Sequence, residues 1–276
     1  MRHTLQTWKY IFKNFFYIFP LAVIPAFFLS LTLAREDFFI VSEKVLSGNA
    51  GSLTFREIFQ VASILNFSSI ESVIFGVVGV IALVVCGAIL MALLDKHMRI
   101  GKRTFNGMFA RLNENLLPTI LVVLLLLVAY EIWTVILTLL FMLTALLPSP
   151  FSYASAGFVF VAMHVLLLSL IACVYLWMPC MQITGFRAFE ALRYSYILVE
   201  PLRGKIVLSQ MFSLIFAEGL IFASVLLLPN MAIISMMTAT VLYAFMIMQF
   251  CVRMQVVYFD REQIERQDLK PSYYHV

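Results

Sequence analysis

Three ionisable residues sit where an apolar chain can least accommodate charge. Glu131, His164 and Glu218 each fall inside a hydrophobic block of twenty or more residues. An ionised carboxylate at the centre of a bilayer costs roughly 2.5–3.5 kcal/mol on insertion scales, so such residues face a bundle interior and pair, line a cavity or relay protons. The chemistry open to them is binding of a cation or cationic headgroup, or proton transfer. The competing role is structural: protonated carboxyls that hydrogen-bond neighbouring helices and hold them together.

A second set is basic and lies at the edges of the blocks. Lys96, Arg99, Lys102, Arg103 and Arg111 precede one long block, and Arg187 and Arg193 precede another. Each such charge contributes about 1 kcal/mol near an anionic leaflet, which makes these residues candidates for binding anionic lipid; plain topological anchoring is the alternative. Met178-Pro179-Cys180-Met181, with Cys173 nearby, offers soft metal ligands. Met and Cys are also ordinary apolar fillers, and neither a metal nor a cofactor is expected. The sequence has no His-Glu-x-x-His, no Gly-x-Ser-x-Gly and no phosphate-binding Gly-x-x-x-x-Gly-Lys-Ser/Thr loop. An enzyme is not expected.

The elements that must position these residues follow from composition. Of 276 residues 63% are hydrophobic and 12% charged, against about a quarter charged in soluble domains, and the mean hydropathy is +0.98. About 20 apolar residues cross ~30 Å of hydrocarbon as helix. Without water to satisfy the backbone, such blocks are helices or a closed barrel, and continuous rather than alternating hydrophobicity excludes the barrel. The expected fold is an all-α polytopic bundle of six spans: Phe15–Ala34, Ile70–Leu94, Leu116–Leu147, Ser155–Met181, Ile206–Leu228 and Met231–Val252. Residues 1–259 form one membrane domain and 260–276 a solvated tail. All four cysteines lie in hydrophobic blocks, so no disulfide framework is implied.

Interfacial amphipathic helices are expected before spans one, three and five. In 1–14 the stripe is Leu5, Trp8, Phe12 and Phe15. In Asp95–Asn115 it is Phe105, Met108, Phe109, Leu112 and Leu116, with Pro118 in the first turn of span three. In 183–204 it is Phe189, Leu192, Tyr196 and Val199. On the other side, Thr54-x-x-Glu57 is a capping box opening a short helix, and Ser68-x-x-Glu71 repeats the signature before span two. Sixteen of nineteen Lys and Arg fall on the side holding the N-terminus, so the positive-inside rule places both termini in the cytoplasm of a cell membrane. The net charge of +4 is explained by these flanking residues and not by nucleic-acid binding.

Gly101-Lys102-Arg103-Thr104-Phe105 and Gly185-Phe186-Arg187-Ala188-Phe189 share Gly-x-Arg-x-Phe, and with the N-terminus they suggest a threefold repeat of units near 1–94, 95–182 and 183–259. Ala191-Leu192-x-x-Ser195-x-x-Leu198-Val199, followed by Gly204-Lys205-Ile206, resembles a signature of bacterial six-span membrane proteins. These include the membrane domain of glycerophosphodiester phosphodiesterases and related stand-alone proteins of unknown function. Glu200-Pro201 replaces that signature's usual Gly. Phe105 to Leu117 is similar to an earlier segment of the same group, so the resemblance spans some thirty residues in letters. It implies a membrane fold without catalysis. The expected function is a transport or membrane-homeostasis role in which a lipid or amphiphile meets a polar bundle core. The alternative is a non-catalytic scaffold that docks a membrane-protein partner or a second copy of itself.

Overall fold

The computed structural model describes residues 2–103, 108–148, 150–228 and 230–270, with backbone alone for 108–111, 113 and 114. No strand occurs among the described residues. The first helix, α1 (Arg2–Lys13), meets α2 (Phe15–Ser30) at a 96° bend. Asn14 makes the corner: its side-chain amide donates to Tyr10 O at 2.9 Å, and its backbone N–H reaches the Tyr10 and Ile11 carbonyls. The α1 face turned to the core is Thr7, Tyr10 and Ile11. Trp8 and Phe15 pack on Phe245, each 6.1 Å between ring centroids, while Leu5 and Phe12 stay exposed. The expected apolar stripe is thus split between protein and surroundings. Pro20 and Pro25 both lie inside α2.

A helical hairpin follows: α3 (Arg35–Leu46), a 3₁₀ turn at Ala50–Ser52, and α4 (Phe55–Ala62). The capping box expected at α4 is present, with Glu57 N–H donating to Thr54 Oγ at 3.4 Å and Thr54 N–H to Glu57 Oε2 at 2.9 Å. The helix α3 has no counterpart in the sequence expectation. The cap of α5 (Ile70–Ile100) is Ser69 and not Ser68, because Ser69 Oγ accepts from Ser72 N–H at 3.1 Å. Ser68 N–H is engaged by Asn66 Oδ1 instead.

The remaining helices are α6 (Met108–Ala145), α7 (Phe151–Cys173), α8 (Trp177–Thr184), α9 (Ala188–Val199), α10 (Arg203–Leu227) and α11 (Ala232–Arg261). Among the described residues five helical stretches are long and apolar enough to cross a membrane, or six if the bent α1–α2 pair is one span. Neighbouring helices close a ring in the order α2, α5, α6, α7, α10, α11 and back to α2, and α11 also reaches across to α5. The α2–α5–α11 side is densely filled by Ile18, Ala22 and Ala26, Leu90, Met91 and Leu94, and Ala244, Met248 and Val252. Gly79 permits the closest approach there, since a Cβ at this position would lie 2.9 Å from Leu29 Cδ2 and 3.2 Å from Leu29 N.

Two of the three expected surface helices are not separate elements. Asp95–Ile100 continues α5, braced by an Arg99–Asp95 ion pair of 2.7 Å and ended at Gly101, whose φ of 78° suits a left-handed cap. From Met108 the backbone runs unbroken for 38 residues, ~57 Å, as α6. Pro118 therefore lies well inside a helix and not in its first turn. The carbonyl that Pro118 leaves without its helical N–H is that of residue 114; Thr119 Oγ donates to the next carbonyl, Asn115 O, at 2.8 Å. Of the stripe expected here, Phe105 and the side chains of Met108 and Phe109 lie outside the described residues, as does the side chain of the basic candidate Arg111, and Leu112 and Leu116 are half-buried.

Where the third surface helix was expected, α9, a 3₁₀ turn at Glu200–Leu202 and α10 form one helical run, Ala188–Leu227. Its buried face is Ala191, Ser195, Leu198 and Val199. Ser195 Oγ accepts from Leu176 N–H at 3.1 Å, which docks α9 on the break between α7 and α8. Phe189 and Tyr196, expected inside, are 86% and 46% exposed. Residues 260–270 are packed and not simply solvated. Tyr194 OH donates to Glu262 at 2.6 Å, Arg266 pairs with the buried Asp268 at 2.8 Å, and its guanidinium lies 5.8 Å from the Tyr10 ring. Residues 271–276 lie outside the described residues.

Candidate functional site: a polar seam across α6, α7 and α10

His164 projects from α7 into the bundle and is 1% exposed. Its Nδ1 lies 2.8 Å from Phe160 O, and its Nε2 is 3.3 Å from each oxygen of Glu218 on α10. Trp133 of α6 sets its edge against the imidazole, 5.1 Å between centroids, and donates its indole N–H to Met163 O at 2.7 Å. The Phe160 ring packs on the other side at 4.1 Å. The imidazole is therefore fixed by two hydrogen-bonding partners and two aromatic rings.

The partners of the imidazole define its protons. A carbonyl can only accept, so Nδ1 carries a hydrogen. The Nε2 faces a carboxyl group, which requires one further proton, held either by Nε2 as imidazolium or by Glu218 as neutral acid. The pair is in both cases net neutral and holds one transferable proton. Glu218 keeps 39% of its side-chain surface open, so it retains acceptor capacity toward a ligand or a proton donor.

Glu131 of α6 is engaged differently. Its carboxylate accepts from Ser63 Oγ at 2.8 Å and from the backbone N–H groups of Ile64 and Leu65 at 3.1 and 3.2 Å. The turn after α4 is thereby pinned about 14 residues, ~21 Å, from the end of α6. Beside it, Tyr130 OH donates to Ala62 O at 2.9 Å, and Asn66 donates to Thr32 O at 3.0 Å. Tyr130 lies within electrostatic reach of Glu131, Glu218 and Tyr243. Of the three residues expected to share a polar core, the fold brings His164 and Glu218 into contact. It places Glu131 nearby, facing the 63–65 turn.

The basic candidates are dispersed over one end of the bundle. Lys102, Arg103, Arg187 and Arg193 are exposed, Lys96 and Arg99 half-buried. Arg99 sits 5.5 Å from the Phe259 ring, and Arg103 donates to Lys13 O at 3.3 Å. Arg193 borders an open groove of about 380 Å³ between the end of α7 and α9, with Cys173, Val174, Phe189, Leu192 and Tyr196 as its other walls. Among the described residues no three His, Cys, Asp or Glu side chains converge as metal ligands.

Sequence reasoning missed two buried polar groups. Tyr10 OH meets His97 Nδ1 at 2.6 Å, tying α1 to α5. Arg253, which hydropathy places just past the last span, is 3% exposed inside α11. The pairing of His97 with a tyrosine 87 positions away leaves no local sequence signal, whereas Arg253 stands within a helical pattern that continues to Phe259. Comparison of the chain with family models, with curated proteins and with solved structures gives no match.

Proposed function

We propose that this chain is a six-span membrane protein that takes up the polar head of a lipid or other amphiphile, or a proton, at the His164–Glu218 pair. The α1–α2 pair counts as the first span, and the basic end, with both termini, faces the cytoplasm. The bias of sixteen among nineteen Lys and Arg supports that orientation. The observation that carries the functional reading is a carboxyl group inside an apolar helix, held by a buried imidazole yet partly open. Intramembrane ionisable pairs of this kind mark substrate paths and proton relays. Glu131, with both oxygens occupied, serves as the anchor of the 63–65 turn. A threefold repeat keeps its support only in the recurring Gly-x-Arg-x-Phe, with Gly185 at φ 71° and Gly101 at 78° both ending helices.

The test is Glu218→Gln, which preserves shape and hydrogen bonding but cannot ionise. The variant should accumulate and melt like the parent while losing the phenotype that distinguishes a deletion strain from wild type. Full complementation by Glu218→Gln, under every condition where the deletion has a phenotype, would end this reading. One observation favours the scaffold alternative: the apolar groove beside α9, with Phe189 86% exposed at its edge. A stable partner retained on Phe189 and lost in Phe189→Ser, together with normal complementation by Glu218→Gln, would establish that role instead.

A further inference from the structure

A buried cation lies at the junction of α1, α10 and α11, away from the His164–Glu218 pair. Arg253 has five guanidinium N–H groups, and its acceptors are Ser209 Oγ and the Lys205 carbonyl, both on α10. Its Nε is buried without a hydrogen-bond partner. Among the described residues no Asp or Glu forms an ion pair with it. Asp260, the carboxylate at this end of α11, is engaged with His3 at 3.6 Å and Arg2 at 3.9 Å. One turn before Arg253, on the same helix face, the amide Nε2 of Gln249 is also buried and unpartnered, with the residue 3% exposed. His3 and Tyr175 lie within electrostatic reach of the guanidinium. Neither supplies a negative counter-charge, since Tyr175 is a buried phenol.

A buried charge needs an opposite charge or a full set of hydrogen bonds, and this one has neither. The buried atoms left without a partner here are Arg253 Nε, the Gln249 amide nitrogen and, on α1, His3 Nδ1; the first two are donors, and the imidazole nitrogen is a donor or an acceptor according to its tautomer. The complement of such a set is an acceptor-only anion, and a guanidinium fork with an adjacent amide matches a phosphate oxyanion best. We infer that Arg253 and Gln249 form a binding site for a phosphate group, closed over by α1.

α1 covers the site: Thr4 Oγ lies 3.4 Å from Ser209 Oγ of α10, and Arg2 and His3 engage Asp260 of α11. The α1 helix also exposes Leu5 and Phe12 to the surroundings, and Lys205 is exposed at the start of α10. A phosphate could come from a phospholipid headgroup at this end of the bundle or from solution, and the experiment separates the two.

The full chain is purified in a neutral detergent, and its melting temperature is followed during titration with phosphatidylglycerol, phosphatidylcholine, or inorganic phosphate against chloride at equal ionic strength. Phosphatidylglycerol should raise the melting temperature by several degrees and phosphatidylcholine should not. A comparable rise with inorganic phosphate assigns the site to the free anion, and none assigns it to the headgroup. Arg253→Gln should lose the response, while Arg56→Gln, at an exposed position of α4, should keep it. A response in Arg253→Gln equal to the parent's, or a parent unresponsive to every phosphate probe, overturns the site. If Arg253→Gln does not accumulate, Gln249→Leu decides. Its titration midpoint should move several-fold to higher concentration, and an unmoved midpoint overturns the site equally.

Discussion

Replacing Glu131 tests whether a carboxyl inside a spanning helix acts as an acceptor alone. Two of its three hydrogen bonds come from backbone N–H groups and share Oε1; the third comes from the Ser63 hydroxyl, which also contacts Leu65 O at 2.9 Å. In Glu131→Gln the amide oxygen can replace Oε1. The amide nitrogen can then donate to Ser63 Oγ, whose own hydrogen turns to Leu65 O. Every group stays satisfied, so the loss should stay below ~1 kcal/mol. Glu131→Leu removes the acceptors altogether. Interhelical hydrogen bonds in membranes average ~0.6 kcal/mol, giving about 2 for three. Two orphaned buried donors at ~2 kcal/mol each give about 4. The expected cost is therefore ~2–4 kcal/mol, read as denaturant-induced unfolding of the purified protein by tryptophan fluorescence. A local probe should agree: a cysteine placed at Ile64 should react with a polar thiol reagent faster in the Leu background than in the Gln background. Equal losses for Gln and Leu would mean that the negative charge itself is needed, and a harmless Leu would mean that the turn is held by other contacts. Either result refutes the assignment of Glu131 as a neutral-capable anchor.

Other consequences are as direct. Gly79→Ala should cost ~1–3 kcal/mol in the same unfolding assay, because the new Cβ meets the Leu29 backbone nitrogen as well as its side chain. Gly157→Ala, with open space around it, is the control. Trp133→Phe should lose about 1 kcal/mol with its hydrogen bond to Met163 O and broaden the His164 resonances in an NMR spectrum; a sharp, unshifted His164 would contradict the packing. In the α3–α4 hairpin, the hydrogen bond from Lys44 at 2.8 Å holds the Glu57 carboxyl below its ordinary 4.5. Its folded pKa is lowered, so its contribution is complete above pH ~4.5 and fades as pH falls through the lower folded value. The protection of α4 amides, taken relative to intrinsic exchange at each pH, should fall in that acid window and stay level in Glu57→Gln. Reporter fusions should place Tyr194 on the cytoplasmic side and Gly48 and Ser152 opposite; a cytoplasmic Gly48 would invert the proposed orientation.

The helical blocks and the α4 capping box were legible because each is local: a run of apolar residues, a Thr-x-x-Glu. Which face of a helix meets protein was not. Lipid tails are as apolar as Leu, so the outward Phe189 and Tyr196 and the inward Leu198 and Val199 look alike in hydropathy. In α9 the informative residues were the small ones, Ala191 and Ser195, both 0% exposed. Continuity was equally hidden. Charged residues between two blocks suggest a surface helix, yet helix formation is cooperative, and 95–100 and 108–117 simply lengthen their neighbours. The candidate site was legible only as a list of three. That His164 meets Glu218, and that Glu131 serves a turn 66–68 positions earlier, depends on the order of helices around the ring.

That ring order has a consequence for the chain's own biosynthesis. The partners of α2 are α5 and α11, and its Ser30 shares a 2.7 Å hydroxyl contact with Thr240 of α11. About 200 residues separate α2 from α11. At synthesis rates of roughly 5–20 residues per second, α2 waits on the order of 10–40 s for its last neighbour. During that interval Ser30 and one whole side of α2 face lipid or an insertion factor. A ribosome stalled before α11 would hold a ring open between α2 and α10, the form in which membrane quality control would first meet a defective chain.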